Sequence, residues 1–132
     1  MNSFNLEIIT PIKSMVLKEV SYLRCPGLDG AFGLMPKHQE GIFALKVGEI
    51  KVTVNGKEDF YSTGGGFAEI LDNNIKILVE SVESSSEIDS ERAQNAIDRA
   101  NNRRTEKNSK HDEIRIENSL MRALNRIKVS RR

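Results

Sequence analysis

The spacing of apolar residues changes once along the chain, at residues 83–93. Before this point apolar residues recur mostly at every second position, as in strands with one buried face. After it they recur at intervals of three and four, as in amphipathic helices. The change falls on Ser84–Ser86, whose side chains build no core and compete for backbone partners. The pattern therefore predicts two bodies joined by a hinge in this serine run: a β domain over residues 1–84 and a helical domain over residues 85–132.

The first body is predicted to be a flattened β-sandwich of about ten short strands, in a chain that is mainly β plus α. Apolar and polar residues alternate over residues 4–8, and Pro11 ends this first strand. Turns are predicted at residues 26–30, where proline precedes glycine, and at Asn55-Gly56. The triple glycine at residues 64–66 is expected to form a bulge or a close strand approach. No helical period separates the strands, so two layers of sheet must share the core.

The second body is predicted to be an antiparallel hairpin of two helices. Asp89 is placed to cap the first helix, which is expected to end near residues 105–110. The second helix is expected from about Asp112 to Val129. A short polar link favours an antiparallel pair, and a narrow apolar stripe makes the pair marginally stable unless it docks. The predicted apolar side of the second helix consists of Ile116, Leu120, Ala123, Leu124 and Ile127.

Composition restricts the chemistry that the chain can carry. The single cysteine, Cys25, is expected to be a small, semi-buried core residue in a reducing, cytoplasmic setting. His38 and His111 are the only histidines, and neither has a nucleophile beside it, which disfavours a zinc site or a triad. The glycines at 64–66 lack the lysine of a phosphate loop. We therefore predict no catalytic residue, no metal site and no required cofactor. No apolar run approaches the ~20 residues of a membrane span, so no membrane insertion is expected.

The overall net charge of +1 hides a difference between the two bodies. Residues 1–83 carry 8 basic and 11 acidic side chains, whereas residues 84–132 carry 12 basic and 8 acidic ones. A weakly acidic body is therefore joined to a basic tail. This difference predicts an anionic partner for the tail.

Six arginines of the tail form two trios, each with a spacing of seven and then four residues. On a helix such a trio spans about 40° of arc and makes a straight basic stripe. A solvated face of ion pairs explains the stripes poorly, because several of these arginines, Arg126 among them, have no acidic side chain one turn away. Guanidinium groups match phosphate oxygens, which favours a phosphate-bearing ligand or an acidic partner. Nucleic acid is disfavoured, because strong overall basicity and an aromatic platform are absent. The trios are Arg92, Arg99, Arg103 and Arg115, Arg122, Arg126.

Four segments in order resemble the epsilon subunit of bacterial F-type ATP synthase, and the resemblance covers nearly the whole chain. Each segment is weak alone, but the order and spacing of all four are specific. The segments are Thr10-Pro11, residues 30–38 (GAFGLMPKH), residues 65–69 (GGFAE) and residues 88–93 (IDSERA). Lys37, Gly64 and Ala31 depart from the residues that are common at their positions in that family.

The resemblance implies a non-catalytic rotor subunit that lies peripherally at the cytoplasmic face of the cell membrane. Its sandwich is expected to bind the gamma subunit and the c-ring, through a contact loop with Asp29, Ala31, Met35 and His38. Its hairpin is expected either to fold against the sandwich or to extend along gamma into the alpha/beta hexamer, where it blocks ATP hydrolysis. In some members the folded hairpin binds ATP as a regulatory ligand. The positions that match are Glu83, Ile88, Asp89, Arg92, Ala93, Arg99, Arg115, Arg122 and Arg126.

Two other classes of function remain open at this point. A free-standing sensor of nucleotides or polyanions would use the same arginines without a surrounding complex. A hydrolase is disfavoured, because the sequence has neither a phosphate loop nor an evident catalytic base. Co-purification with a large hexameric ATPase would separate the subunit from the free-standing sensor.

Overall fold

The computed structural model describes residues 3–105 and 110–132, and the side chains of residues 3–103 and 113–132. In these ranges it has nine strands followed by two helices, which confirms the predicted fold class with nine strands in place of about ten. The elements are β1 (Phe4–Ile9), β2 (Ser14–Gly27), β3 (Gly30–Leu34), β4 (Gly41–Leu45), β5 (Gly48–Val54), β6 (Lys57–Thr63), β7 (Gly66–Leu71), β8 (Asn74–Val79), β9 (Val82–Ser84), α1 (Ser90–Thr105) and α2 (Lys110–Ser130).

The 14-residue strand β2 joins the two parts of the sandwich. Its first half pairs with β1, and its second half pairs with β5 on one side and β3 on the other. The register shifts next to Val20, and the preceding Glu19 has a φ of 59°, as expected where a bulge bends a strand between partners. The remaining strands follow the order β1-β8-β7-β4 and β5-β6-β9, and only β1 and β8 run parallel.

Alternate residues of the strands form the core of the sandwich, as the period of two predicts. In β8, Ile75 and Ile77 are fully buried, whereas Lys76 between them is exposed. Cys25 is also fully buried, so it is a core residue as expected, and more deeply placed than expected. Burial raises the pKa of the Cys25 thiol to about 12, which keeps it protonated and unreactive at neutral pH.

Two predicted local features have different boundaries in the structure. The turn predicted over residues 26–30 comprises only Leu28 and Asp29, because Pro26 already pairs with Ala31 at the end of β2. The serine run is not a loose link along its whole length. Ser84 of β9 pairs with Tyr61 of β6, and the backbone N–H of Ser85 donates to Phe60 O at 2.9 Å. The edge of the sheet holds the backbone of these two serines in this conformer, so a hinge here would have to break both pairings.

The helices follow the predicted pattern with two exceptions. Asp89 caps α1, because its Oδ1 accepts the backbone N–H of Arg92 at 3.0 Å. Small buried residues of α1 pack against α2, and the helices contact each other along their length. Leu124 was wrongly placed on the apolar side: it is 50% exposed, one residue past the buried Ala123. Val129, which the pattern missed because it lies in the last turn of α2, is fully buried.

The last two turns of α2 dock the hairpin on strands β5 and β6. The Asn125 side chain donates to Gly48 O at 2.7 Å and to Ser62 Oγ at 3.0 Å. Among the described residues, the sandwich core includes no side chain of either helix. The two bodies therefore have separate cores, and a short, largely polar contact joins them.

Replacing Ile77 by alanine tests whether the stability of the sandwich resides in this core. We expect Ile77→Ala to lower the free energy of unfolding by about 2–5 kcal/mol, because it opens a cavity at a fully buried position. Ile42→Ala is the matched control, since Ile42 is 72% exposed and should cost less than about 1 kcal/mol. Urea unfolding of both variants measures the difference. Equal losses would contradict the placement of the core.

Candidate functional site

A cavity of about 280 Å³ lies between the two helices and is lined by four arginines. Arg99 and Arg103 come from α1, and Arg122 and Arg126 come from α2. The spacing of seven and four brings these side chains to the same side of the helix pair. Small residues keep the space open at its base, because alanine lets the helices approach without filling the gap. The other lining residues are Ala96, Ala100, Ile116, Ser119 and Ala123.

Most of the positive charge in this cavity has no acidic partner. Within the part of the chain that the structure describes, Arg99 and Arg103 make no ion pair. The Arg122 guanidinium donates only to Ser119 Oγ, at 3.3 Å. Like charges around one space repel each other, and an anion that accepts from several guanidinium groups removes this repulsion. The cavity is therefore suited to an anion with several oxygens.

Arg126 differs from the other three, because it binds Glu83 of β9. Its Nε donates to Glu83 Oε1 at 2.6 Å and its Nη2 donates to Glu83 Oε2 at 2.9 Å. Arg126 has no acid one turn away on the helix, as the sequence indicates, but it has one 43 residues away on the sandwich. A second cavity of about 300 Å³ lies beside this pair, and Arg122 and Arg126 line both cavities. The two cavities therefore adjoin at the boundary between sandwich and hairpin.

The structure brings together only some of the nine residues that the resemblance implied. Glu83, Arg99, Arg122 and Arg126 line one or both cavities. The other five lie outside both linings: Ile88, Asp89, Arg92, Ala93 and Arg115.

The residues around the start of α1 are engaged in the fold itself. Ala93 is fully buried and Ile88 is 9% exposed, while the Asp89 carboxylate caps α1. Contact between these residues and a ligand in the cavities would require a local rearrangement at this helix end.

The four residues predicted to form one contact loop do not lie on a single loop. Asp29 is in the β2–β3 turn and Ala31 is in β3, whereas Met35 and His38 follow the far end of that strand. The rise of a strand separates Ala31 from Met35 by about 13 Å. Met35 is 64% exposed, but the His38 ring packs edge-on against Phe4 with 5.4 Å between centroids. His38 Nδ1 donates to Met35 O at 2.7 Å, so this histidine orders its segment and is not simply solvated.

An exposed apolar row crosses four strands on the outer face of the sandwich, and the sequence analysis missed it. Register pairs Ile9 with Leu78, Leu78 with Phe67, and Phe67 with Ala44. Phe67 is 56% exposed and Leu78 is 41% exposed. These four residues line a groove of about 700 Å³ beside Gly64–Gly66. The sequence did contain a signal for this row, namely apolar residues at the outward-facing positions of β7 and β8. We call Ile9, Ala44, Phe67 and Leu78 the apolar row.

Two searches of the described residues gave no further candidate. No group of three or more histidine, cysteine or acidic side chains in residues 3–105 and 110–132 could hold a metal ion. Neither of the helices in those ranges is long and apolar enough to cross a membrane.

Comparison with known proteins identifies the family. The model of the beta-sandwich domain of the ATP synthase delta/epsilon chain matches residues 3–85, and the model of its long alpha-helix domain matches residues 86–131. The chain belongs to the ATP synthase delta/epsilon chain family. It is 40% identical over 127 residues to the ATP synthase epsilon chain of Nitratidesulfovibrio vulgaris strain DP4, covering 96% of this chain and 95% of that one. It is 38% identical over 125 residues to the epsilon chain of Desulforamulus reducens, covering 95% of each. The resemblance to an F-type epsilon subunit is thus confirmed.

Solved structures agree with this assignment at the level of the fold. A chain in a cryo-EM structure of the Euglena gracilis mitochondrial ATP synthase superposes with a TM-score of 0.80 at 22% identity, covering 92% of this chain and 77% of that one. A chain in the central stalk and c-ring structure of the Tetrahymena thermophila mitochondrial enzyme gives a TM-score of 0.68 at 14% identity, covering 96% and 95%. The epsilon fold thus persists where little sequence identity remains.

Proposed function

We propose that this epsilon chain is a non-catalytic subunit of the central stalk, in which the sandwich provides attachment and the helices provide regulation. It acts peripherally at the cytoplasmic face of the cell membrane, with the gamma subunit and the c-ring as its partners. The separate cores of the two bodies support this division, because each body can keep its structure while their contact changes. The two structural neighbours come from an F1 and c-ring structure and from a central stalk and c-ring structure, which is consistent with such partners.

The apolar row supports attachment through the sandwich. Rows of exposed apolar side chains that extend over neighbouring strands are typical of protein–protein interfaces. The adjacent row on the same face carries the charged residues Glu7, Lys76 and Glu69, which gives the apolar row a polar rim. We propose that this face binds the gamma subunit, and that the segment from Asp29 to His38 faces the c-ring.

The cavity of four arginines supports regulation by ATP. A triphosphate carries several negative charges and many acceptor oxygens, which match the guanidinium groups of Arg99, Arg103, Arg122 and Arg126. Because these groups come from both helices, a ligand that bridges them stabilises the folded hairpin and not the separated helices. ATP is here a ligand that selects one conformer, and not a substrate.

The pair between Glu83 and Arg126 links this ligand to docking. Without ligand, the two oxygens of the Glu83 carboxylate accept hydrogen bonds from the Arg126 guanidinium. A phosphate group that approaches Arg126 therefore competes with Glu83 or shares the guanidinium with it. Sharing keeps Arg126 beside the sandwich, and we propose this arrangement, in which ligand binding and docking favour the same conformer.

The undocked hairpin is the inhibitory form in this proposal. It extends along gamma into the alpha/beta hexamer and blocks ATP hydrolysis when ATP is scarce. The docking contact is short and largely polar, so the two conformers can differ by only a few kcal/mol. Binding to one conformer stabilises it by about 2.7 kcal/mol when ATP is at a hundred times its Kd. This amount is sufficient to reverse such a bias.

Replacing Arg122 by alanine tests the ATP site directly. Arg122 lines both cavities and binds no acid among the described side chains, so its loss should remove a charge-assisted contact without leaving one of their carboxylates unpaired. Such a contact contributes about 1.5–3 kcal/mol, so ATP affinity should fall by about one to two orders of magnitude. Isothermal titration of the isolated chain at fixed salt measures it.

Arg131→Ala is the control for this experiment, because it removes the same charge from an exposed position outside both linings. Its affinity should match that of the wild type. Absence of ATP binding by the wild type at millimolar concentration, or equal affinity in all three proteins, would contradict the ATP site. ATP binding without incorporation into an ATP synthase would favour the free-standing sensor.

Replacing Phe67 by aspartate tests the attachment face. Phe67→Asp puts a charge into the centre of the apolar row and should weaken binding to an epsilon-depleted ATP synthase at least tenfold. Ile114→Asp is the matched control, since Ile114 is 56% exposed and lies on α2, outside the sandwich. Each variant is titrated into the tagged, epsilon-depleted complex, and the amount recovered in a pull-down measures its binding. Equal binding by both would contradict attachment through this face.

A further inference from the structure

The last residue of the chain closes on a buried carboxylate of the sandwich. Arg132 Nε donates to Glu49 Oε2 at 2.8 Å, and its Nη2 donates to Glu49 Oε1 at 2.7 Å. The Glu49 side chain on β5 is only 6% exposed. We propose that Arg132 and Glu49 form a latch that fastens α2 to the sandwich and sets the fraction of molecules with a docked hairpin.

The sandwich supplies a complete receptor for the Arg132 side chain. Its guanidinium carbon lies 4.6 Å from the centre of the Phe60 ring on β6, so a cation–π contact accompanies the two hydrogen bonds. A bidentate fork over an aromatic face is specific for arginine, because lysine offers a single point charge. The latch thus holds the chain end in one orientation, two residues past the end of α2.

Arg24 allows the latch to open. Arg24 Nη2 on β2 donates to Glu49 Oε1 at 2.9 Å, from within the sandwich itself. When the hairpin leaves, Glu49 keeps this partner and is not left as an unpaired buried charge, which would be very costly. Arg24 therefore lowers the free-energy difference between the open and the closed latch, and makes opening reversible.

The electrostatics of Glu49 support this assignment. Burial is the largest effect and raises the pKa of Glu49, but the hydrogen bonds and charge of Arg132, with the charges of Arg24 and Lys128, outweigh it. The pKa of Glu49 is therefore lowered in the docked chain. The carboxylate is ionised at neutral pH, as the latch requires.

The latch lies outside the proposed ATP site. Neither Glu49 nor Arg132 lines the two arginine cavities, whereas Arg122 and Arg126 line both. The latch therefore contributes to docking without nucleotide, beside the contacts of Asn125 and Arg126, and can be tested without ATP. Failure of the latch would leave the proposed ATP site standing, and failure of the ATP site would leave the latch standing.

Spin labels on the two bodies measure docking of the full chain. Lys57→Cys at the start of β6 and Asn95→Cys on α1 place labels at exposed positions, and the buried Cys25 is replaced by valine. A docked hairpin gives one narrow distance distribution, and an undocked hairpin gives a broad one. A urea series without nucleotide gives the urea concentration at which half of the molecules are undocked. Shifts of this docking midpoint can be measured even when the wild type is fully docked in buffer.

In this background, Arg132→Ala should lower the ratio of docked to undocked molecules by about tenfold, because it removes a partly exposed bidentate pair. Arg132→Lys should fall between the wild type and Arg132→Ala, because it keeps the charge without the fork. Raising the salt concentration should weaken docking of the wild type more than that of Arg132→Ala.

Arg131→Ala is the matched control, since it removes the neighbouring exposed charge and should leave the docking midpoint unchanged. An unchanged midpoint in Arg132→Ala would overturn the latch. An equal shift in Arg131→Ala would also overturn it, because the effect would then come from general charge at the chain end.

Discussion

The contact between α2 and strands β5 and β6 joins two bodies with separate cores, so the relative position of the hairpin and the sandwich rests on it. One fully buried side chain, Val129, contributes apolar burial to this region of α2. Among the described residues, the contacts in this region also include the Asn125 hydrogen bonds, the ion pairs of Arg126 with Glu83 and Arg132 with Glu49, and the packing of Arg132 on Phe60. Partly exposed ion pairs each contribute little net free energy. The docked conformer therefore has a defined geometry. Its free energy is lower than that of the undocked conformer only by an amount that ligand binding can match.

The same region of α2 positions one side chain of the arginine cavity. Its lining comes from both helices, and Arg126 is held in place from the sandwich side by Glu83. If the helices separate, Arg99 and Arg122 become independent solvated charges, and a polyanion gains little from binding them together. An anion thus interacts differently with the two conformers, and this difference is what a ligand needs in order to shift their populations.

The sequence predicted features that depend on near neighbours in the chain, and missed those that depend on register and long-range pairing. Alternation located the buried face of β8, and Asp89 was recognised as a cap, because both are local patterns. The spacing of the arginines predicted their convergence, since helical geometry fixes which side chains share a face. The partners of Arg126 and Arg132 lie 43 and 83 residues away, so no helical offset could reveal them. The apolar row needs the register of four strands, which alternation within one strand does not supply.

The central claim is that ATP and the docked hairpin favour each other, and the distance between the two bodies tests it most directly. With the spin labels described above, the docked fraction is measured at a urea concentration where half of the wild-type molecules are undocked, as ATP is increased. The account predicts that the docked fraction rises with ATP and saturates, and that Arg122→Ala requires about ten to a hundred times more ATP for the same rise. A docked fraction that stays constant while calorimetry shows ATP bound would contradict the account, because the ligand would then have equal affinity for both conformers.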